Sequence, residues 1–316
     1  MEPPKILFKY VTIDRAIQIL LNKTIRFTQP RLFNDPFEFA PTLDMKEIKE
    51  AYLNSPEIQN KIIVKEERKE VLKGLADFSI GVASTFINDY HAVGVLSLSE
   101  KWDIPLMWSH YCSNHSGVVI GFDVQKGILL DKPNTTNGDS YCDISPINYQ
   151  KDRLKFPNKN YQPLDYMFCK DICWDYEKEW RILRSLKTLK KIEDEIYVSE
   201  FQPESIRCVI RGPRFPKNQI WELSNILGRS EYRHVGFFAS NLEADTFGMD
   251  ITTNIASVLN DGDLYLEKYH YKHIDHVYRL ISKGHLYQAM EIIEDSIEFK
   301  REKDYWDLYG EQNQDK

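Results

Sequence analysis

Residues 6–28 read ILFKYVTIDRAIQILLNKTIRFT and predict a strand, a short helix and a second strand in close succession. The helix is indicated by one broad apolar face, and Thr12 or Asp14 can cap its first turn by accepting a bond from a free backbone N–H. Residues 24–28 are rich in β-branched and aromatic side chains, which favours a strand, and Pro30 ends it because proline cannot donate to a strand ladder. This order of elements indicates an α+β protein whose sheet begins at the first strand.

The rest of the chain continues the strand signals around a charged segment. Short apolar runs at residues 93–99, 117–122, 179–183 and 206–210 predict further strands, and residues 105–111 predict a short helix. Residues 45–90 are helical in pattern and highly charged, which is typical of a helical insertion. We therefore predict a twisted, mixed or antiparallel central sheet within residues 1–216 and a helical region over residues 217–316.

Residues 273–297, HIDHVYRLISKGHLYQAMEIIEDSI, resemble one tetratricopeptide-type helical hairpin within that helical region. A single hairpin does not build a repeat array, which needs about three copies. We expect these helices to provide a docking surface for a protein partner.

The composition excludes several classes of protein. The 316 residues carry 41 Lys and Arg against 48 Asp and Glu, a formal net charge of −7, so nucleic acid is an expected partner only through a local basic patch. Hydrophobic residues make up 42% and charged residues 28%, which is typical of globular proteins and excludes extended disorder. The 18 Tyr, 16 Phe and 6 Trp favour β-rich walls or a cleft that stacks against rings.

The sequence also predicts a compartment. Five cysteines without dense, regular spacing favour reduced thiols rather than a disulfide scaffold. The N-terminal residues show no export signal, and no apolar run is long enough to span a bilayer. We expect a cytoplasmic protein that does not enter the membrane.

Three short stretches crowd polar and aromatic residues between the predicted strands, and the first is residues 26–39, RFTQPRLFNDPFEF. Its Asn-Asp-Pro turn can hold itself through side-chain-to-backbone bonds, which brings Glu38 near the mouth of any cleft beside the strands. The alternative is a structural turn packed by Phe33, Phe37 and Phe39.

The second stretch is residues 97–117, SLSEKWDIPLMWSHYCSNHSG. Ser97 and Ser99 are two residues apart, so on a strand their hydroxyl groups face the same side. Candidate ligand contacts follow on the predicted helix and turn, where aromatic rings and imidazoles could stack on a planar ligand or orient a loop; they are Trp108, His110, Tyr111 and His115. The alternative for each histidine is a ring that is satisfied by a backbone carbonyl.

The third stretch is residues 174–182, WDYEKEWRI. If the strand starts early, Glu177 and Glu179 share one face with their carboxylates roughly 7 Å apart, and Arg181 continues the row. Such a carboxylate in an aromatic-walled pocket suits a ribose hydroxyl and a developing positive charge on a sugar. The alternative is a charged strand edge that prevents aggregation.

These stretches, together with KYVTIDRAIQILLNK before them and VIRGPRF after them, resemble the successive blocks of the bacterial domain-of-unknown-function family 2971, from about Leu7 to Phe215. The resemblance implies membership of the ADP-ribosyltransferase-like superfamily and its split-β fold. It implies that Glu179 is the catalytic residue within a Glu-x-Glu pair completed by Glu177, and that Ser97 and Ser99 form the Ser-x-Ser element that supports it. Superfamily members carry His or Arg on the first strand, where this chain has Lys9 and Tyr10.

The resulting hypothesis is an ADP-ribosyltransferase or NAD glycohydrolase, with NAD as co-substrate and no metal. Arg26 on the second strand holds the diphosphate by a bidentate contact, while Arg181 supplies a second local cation. Tyr10, Trp108 and Tyr111 contribute to an aromatic wall for nicotinamide, with His110 as a donor and His115 on the adjoining loop. The resemblance suggests a role in bacterial defence or as a toxin.

Two alternatives remain open from the sequence. The first is a nucleotide-sensing module that keeps the fold and has lost the chemistry. The second is a metal-dependent nuclease that uses His110 and His115 with Asp35, Glu38 and Glu179 around a divalent ion, because carboxylates and imidazoles suit such an ion.

Overall fold

The computed structural model describes residues 2–55, 73–81, 91–126, 144–157 and 165–252. Within these ranges the protein is α+β, and its strands pair in a mixed but mainly antiparallel way. The chain divides into two compact units that are interleaved along the sequence. Among the described residues, the first unit comprises 26–55, 73–81, 91–97, 144–157 and 165–199, and the second comprises 2–25, 98–126 and 200–252.

The strands are, in chain order, β1 (Ile6–Val11), β2 (Thr24–Phe27), β3 (Thr42–Leu43), β4 (Val93–Ser99), β5 (Val118–Asp123), β6 (Ser145–Pro146), β7 (Asn148–Gln150), β8 (Lys155–Phe156), β9 (Cys169–Asp171), β10 (Glu179–Ser185), β11 (Lys190–Glu193), β12 (Ile196–Glu200), β13 (Ile206–Arg211), β14 (Gly236–Leu242) and β15 (Met249–Thr252). The helices are α1 (Ile13–Asn22), α2 (Met45–Leu53), α3 (Pro105–Tyr111) and α4 (Lys217–Leu227), and residues 73–81 are also helical.

The second unit begins with the predicted strand and helix. Thr12 is the N-cap of α1, where its hydroxyl oxygen accepts a bond from the Arg15 backbone N–H at 3.4 Å. Strand β1 pairs antiparallel with β5, from Ile6 opposite Asp123 to Val11 opposite Val118. Strand β5 pairs antiparallel with β13, β13 parallel with β14, and β14 antiparallel with β15. The core of this unit is therefore a sheet whose interior strand β5, between β1 and β13, is buried at every residue.

The first unit is built around β10, which has β4 and β6 as its neighbours. Strand β7 pairs with β9 and β3 pairs with β8, both in parallel. A hydrophobic cluster packs against this framework and comprises Phe39, Val93, Val95, Met167 and Leu183. All seven residues of β10 are buried although three of them are charged, so this strand needs partners for its charges inside the unit.

Most elements predicted from the sequence are present in the structure, but the prediction for the C-terminal region missed two strands. Residues 217–227 are helical as predicted, but β14 and β15 are strands within a region predicted to be helical. The reason is that β14 extends the sheet by pairing with β13, a long-range contact that local periodicity does not encode. Parts of the predicted insertion, 56–72 and 82–90, and the predicted hairpin at 273–297 lie outside the described residues.

Gly117 marks a close approach of two backbone segments in the second unit. A methyl group at this position would lie 2.4 Å from the Val11 carbonyl oxygen and 2.7 Å from the Cys112 Cα, and neither is a flexible side-chain end. We expect Gly117→Ala to lower the free energy of unfolding by roughly 2 kcal/mol, because overpacking forces backbone shifts.

Urea unfolding measures this loss. Gly81→Ala is the matched control, since no atom lies within 4 Å of the added methyl group. The control should change stability by less than about 1 kcal/mol. Equal effects of the two substitutions would contradict the assigned backbone approach.

Candidate functional site

Glu179 and Arg181 project from the same face of β10, as their spacing predicts. Arg181 Nε donates to Glu179 Oε1 at 2.7 Å, and Arg181 Nη2 donates to Glu179 Oε2 at 3.0 Å. The guanidinium also donates to the Met167 carbonyl oxygen through Nη1 at 2.8 Å. The pair is therefore a bidentate ion pair, which is stronger and more directional than a single charged hydrogen bond.

Glu177 does not share the strand face of Glu179, which corrects the sequence prediction. It ends a 3₁₀ helix, Ile172–Glu177, and Lys178 follows in the left-handed region with φ 45°, so the chain turns before β10 begins. The Glu177 carboxylate nevertheless accepts a bond from Lys170 Nζ at 2.6 Å. The turn brings the two glutamates together through a shared lysine rather than through a strand row.

Lys170 on β9 joins three glutamates, and the sequence interpretation missed it. Its Nζ lies 3.0 Å from Glu38 Oε1, 2.6 Å from Glu177 Oε2 and 3.2 Å from Glu179 Oε2. It also lies 4.9 Å from the ring centroid of Trp174. The available signal was the pair Lys170 and Asp171 inside YMFCKDICW, residues 166–174, where an otherwise apolar and aromatic run carries adjacent charges.

Glu38 reaches the same group from the Asn-Asp-Pro turn. Asp35 Oδ1 accepts a bond from the Phe37 backbone N–H at 2.8 Å, which is the self-held turn that the sequence predicts. Glu38 contacts Lys170 and also accepts a bond from Arg181 Nη2. The alternative of a turn packed by aromatic rings holds for Phe33 and Phe39, whose ring centroids lie 5.4 and 5.1 Å from the Arg181 guanidinium carbon. It does not hold for Phe37, which is exposed.

We call Glu38, Lys170, Glu177, Glu179 and Arg181 the charge cluster. Each of the five residues is at most 6% exposed. Three carboxylates face two cations, so the fully ionised cluster carries one excess negative charge. A buried group of this kind is costly unless nearly every charge is paired, which is what the contacts provide.

The surroundings shift the pKa values of two glutamates in opposite directions. Burial by itself raises the pKa of Glu179, but Arg181, Lys170 and a hydrogen bond with Ser97 outweigh it and lower the pKa to about 2. Burial raises the pKa of Glu38 above its ordinary value, and repulsion from Glu179 adds to this against the attraction of Arg181 and Lys170. Burial opposes the charge on Lys170, yet the three glutamates raise its pKa. Glu179 is therefore ionised at any physiological pH, whereas the pKa of Glu38 is higher than that of an ordinary glutamate.

Two hydroxyl groups hold Glu179 in place. Ser97 hydrogen-bonds its carboxylate, and the Tyr149 hydroxyl oxygen accepts a bond from the Glu179 backbone N–H at 2.7 Å. Tyr149 lies opposite Lys170 in the β7–β9 pair and was also missed, since an isolated tyrosine on a short strand has no local signature. Ser99 has a different partner, the Lys101 backbone N–H at 3.0 Å, and it belongs to the second unit.

A cavity of about 190 Å³ adjoins the charge cluster within the first unit. Its walls come from residues 35–41, 150–154 and 169–171 together with Tyr166, and Glu38 and Lys170 are the cluster members that line it. The volume lies below the roughly 300–1,000 Å³ of drug-sized ligand sites. The cavity is therefore suited to a ring or a sugar, and the rest of a nucleotide would extend beyond it.

The predicted aromatic wall lies in the second unit. Tyr10 and Trp108 are buried and pack edge to face with ring centroids 5.6 Å apart. Trp108 Nε1 donates to the Trp102 carbonyl oxygen at 2.7 Å, and the Tyr10 hydroxyl donates to the Lys101 carbonyl oxygen at 2.9 Å. Their stacking role stays a prediction, and a ligand would have to displace protein neighbours to reach either ring.

The remaining predicted contacts are also described. His110 is exposed and lies beside the half-buried Tyr111, with ring centroids 6.2 Å apart. His115 has a left-handed backbone with φ 70°, and burial and the nearby Arg214 lower its pKa. Arg26 lies half-buried on β2 in the first unit, and its contact with a diphosphate stays a prediction.

The described residues lack both a metal-ligating cluster and a membrane-spanning helix. Across residues 2–55, 73–81, 91–126, 144–157 and 165–252, no group of three or more His, Cys, Asp or Glu side chains could hold a metal ion. The helices in these ranges include none with the length and apolarity needed to cross a membrane. The nuclease hypothesis stays a prediction, although Glu38 and Glu179 already engage two basic side chains.

Comparison with known proteins supports one family resemblance. Residues 107–182 match the model of the family described as "Protein of unknown function (DUF2971)". The matched segment contains four members of the charge cluster, Lys170, Glu177, Glu179 and Arg181. It ends before Leu183, which belongs to the hydrophobic cluster of the first unit. No curated protein and no solved structure matches the chain.

Proposed function

We propose that this chain is an NAD-cleaving enzyme of the ADP-ribosyltransferase-like type, acting as an ADP-ribosyltransferase or an NAD glycohydrolase, with the charge cluster as its reaction centre. The observation that carries the proposal is a buried cluster with one excess negative charge at the wall of a ring-sized cavity. A fixed anion in a water-poor site stabilises positive charge that develops on a sugar.

The reaction breaks the bond between C1′ of the ribose and the nicotinamide nitrogen. Its electron pair leaves with the ring, so positive charge builds on the ribose, and the ionised Glu179 stabilises that state more than the ground state. An acceptor oxygen or nitrogen then bonds to C1′ and releases a proton. Glu38 accepts this proton, because its raised pKa makes it a better base than an ordinary glutamate.

The other cluster members position these two carboxylates. Arg181 fixes Glu179 through two parallel bonds, and Lys170 joins Glu38 to Glu179. Glu177 balances the charge of Lys170. With water as the acceptor, the protein would deplete NAD, which fits the defence or toxin role that the family resemblance suggests.

We expect Glu179→Gln to lower the rate of nicotinamide release from NAD about a hundredfold, since an electrostatic group aimed at the transition state contributes on this scale. Chromatography of purified protein incubated with NAD measures the rate. Asp175→Asn is the matched control, because Asp175 lies outside the charge cluster in an exposed pair with Lys178, and it should retain most activity. No nicotinamide release by the wild type, or equal rates for wild type and Glu179→Gln, would contradict the proposal.

Glu38 gives the reaction a pH signature. A base works only when it is deprotonated, so the rate should fall as the pH drops through the raised pKa of Glu38. Glu38→Gln should lose most of the activity, and its remaining rate should no longer fall as the pH drops through this range. If the rate of Glu38→Gln still falls at acidic pH as the wild-type rate does, the base is another group.

A nucleotide-sensing module is the second candidate, and the complete pairing of the cluster favours it. Each of its five side chains already has an oppositely charged partner, which allows a ligand to bind without turnover. Calorimetry that finds NAD binding, combined with no nicotinamide release, would select this candidate over the enzyme.

A further inference from the structure

Arg153 crosses the cavity from one wall to the other. Its Nε donates to the Ala40 carbonyl oxygen at 2.7 Å, and Nη2 donates to the same oxygen. The guanidinium carbon also lies 5.5 Å from the centroid of the Phe37 ring. Arg153 comes from the wall at residues 150–154, while Phe37 and Ala40 come from the wall at residues 35–41.

The two groups that Arg153 contacts, the Phe37 ring and the Ala40 carbonyl oxygen, can bind other cations as well as arginine. Phe37 lines the cavity and is 63% exposed, so a ligand can reach its ring from solvent once the guanidinium has moved away. An aromatic face attracts a cation through its quadrupole, and a carbonyl oxygen accepts from a cationic N–H donor. An exposed side chain such as Arg153 can leave these partners at little cost, because water replaces its bonds.

The charges along the cavity favour the same class of ligand. Four carboxylates line it, against two cations other than Arg153. The lining carboxylates are Asp35, Glu38, Asp152 and Asp171, and the cations are Lys151 and Lys170. Lys170 and Glu38 are both committed to the charge cluster, so among the lining residues Asp35, Asp152 and Asp171 then face Lys151, and without Arg153 the mouth would have a negative potential.

We infer that the mouth formed by Phe37 and Ala40 is a binding site for a planar organic cation, and that Arg153 occupies this site in the free chain. The incoming cation displaces the guanidinium, stacks on Phe37 and faces the lining carboxylates. Arg153 therefore competes with the ligand for the contacts with Phe37 and Ala40. The inference concerns binding alone, so it goes beyond the proposed reaction and holds whether or not NAD is cleaved.

Two probes of one shape separate charge from ring stacking: 1-methylnicotinamide, which is a cation, and nicotinamide, which is neutral. Calorimetric titration of the full chain measures both affinities. We expect Arg153→Ala to bind 1-methylnicotinamide at least tenfold more tightly than the wild type and at least tenfold more tightly than it binds nicotinamide. Arg153→Gln should show the same order, so the test does not depend on one variant.

Lys151→Ala is the matched control, because Lys151 is an exposed cation on the same wall. It should gain less than threefold in affinity. Adding Phe37→Leu to Arg153→Ala should remove the gain. Equal affinities of Arg153→Ala and wild type, equal binding of the charged and neutral probes, or an equal gain in Lys151→Ala would overturn the inference.

Discussion

Replacing Arg181 with methionine is expected to lower the free energy of unfolding of the first unit by about 3–5 kcal/mol, the range measured when one partner of a buried ion pair is removed. Arg181 is fully buried and donates to Glu38, to Glu179 and to the Met167 carbonyl oxygen. Methionine fills much of the volume but offers no donor. The three carboxylates of Glu38, Glu177 and Glu179 would then share Lys170 as the one cation left in the charge cluster.

Urea unfolding followed by tryptophan fluorescence measures this loss, because Trp174 and Trp180 lie in the first unit. Lys178→Met is the matched control, since Lys178 forms an exposed pair with Asp175 at 3.3 Å. Exposed pairs contribute little, so the control should change stability by less than about 1 kcal/mol.

A second substitution separates charge from packing. Adding Glu38→Gln to Arg181→Met removes one of the uncompensated carboxylates, so the double variant should recover part of the loss. A loss in Arg181→Met no greater than in the control would mean that the cluster does not stabilise the unit. A double variant less stable than the sum of the single effects would assign the loss to packing.

Glu179→Gln is expected to lower the free energy of unfolding by roughly 3 kcal/mol at neutral pH and by much less at acidic pH. The pKa of Glu179 is about 2 in the folded chain against an ordinary value of 4.5. A lowered pKa stabilises the folded state above the unfolded value, and this contribution disappears as the pH falls from about 4.5 towards 2. The stability gap between wild type and Glu179→Gln should therefore be full at pH 7 and shrink below pH 4.5.

Urea titrations at several pH values between 7 and 3 measure this gap, which should narrow steadily over the acidic half of that range. Glu38→Gln should cost less at pH 7 than Glu179→Gln, because the raised pKa of Glu38 means that its ionisation opposes folding as the pH rises. Asp175→Asn, at an exposed pair, should show no such pH-dependent gap. A gap for Glu179→Gln that is constant with pH would show that geometry rather than charge accounts for its effect.

Local patterns predicted much of the fold. The strand, helix and strand of residues 6–28 appear as β1, α1 and β2, with Thr12 as the cap. The helix α3 has the predicted bounds, and β4 does as well. These elements are visible in sequence because side-chain periodicity, a capping hydroxyl and proline act within a few residues.

Longer-range order was harder to predict. Strands β14 and β15 lie where helices were expected, since pairing with β13 outweighs local propensity. The Glu177 turn was also missed, because a single left-handed residue at Lys178 ends what would otherwise be a longer strand. Each case depends on a contact or a backbone angle that the neighbouring residues do not specify.

The sequence by itself determined which residues carry charge in aromatic surroundings: Glu38 in a self-held turn, and Glu179 with Arg181 two residues apart on a strand. Only the tertiary structure decided that Lys170 joins them, that Tyr149 holds the Glu179 backbone and that Arg153 spans the adjoining cavity. Spacing along one strand encodes a shared face. Partners that are distant in the chain meet only when burial forces every charge to find a counter-charge, and the cost of an unpaired buried charge makes that meeting specific.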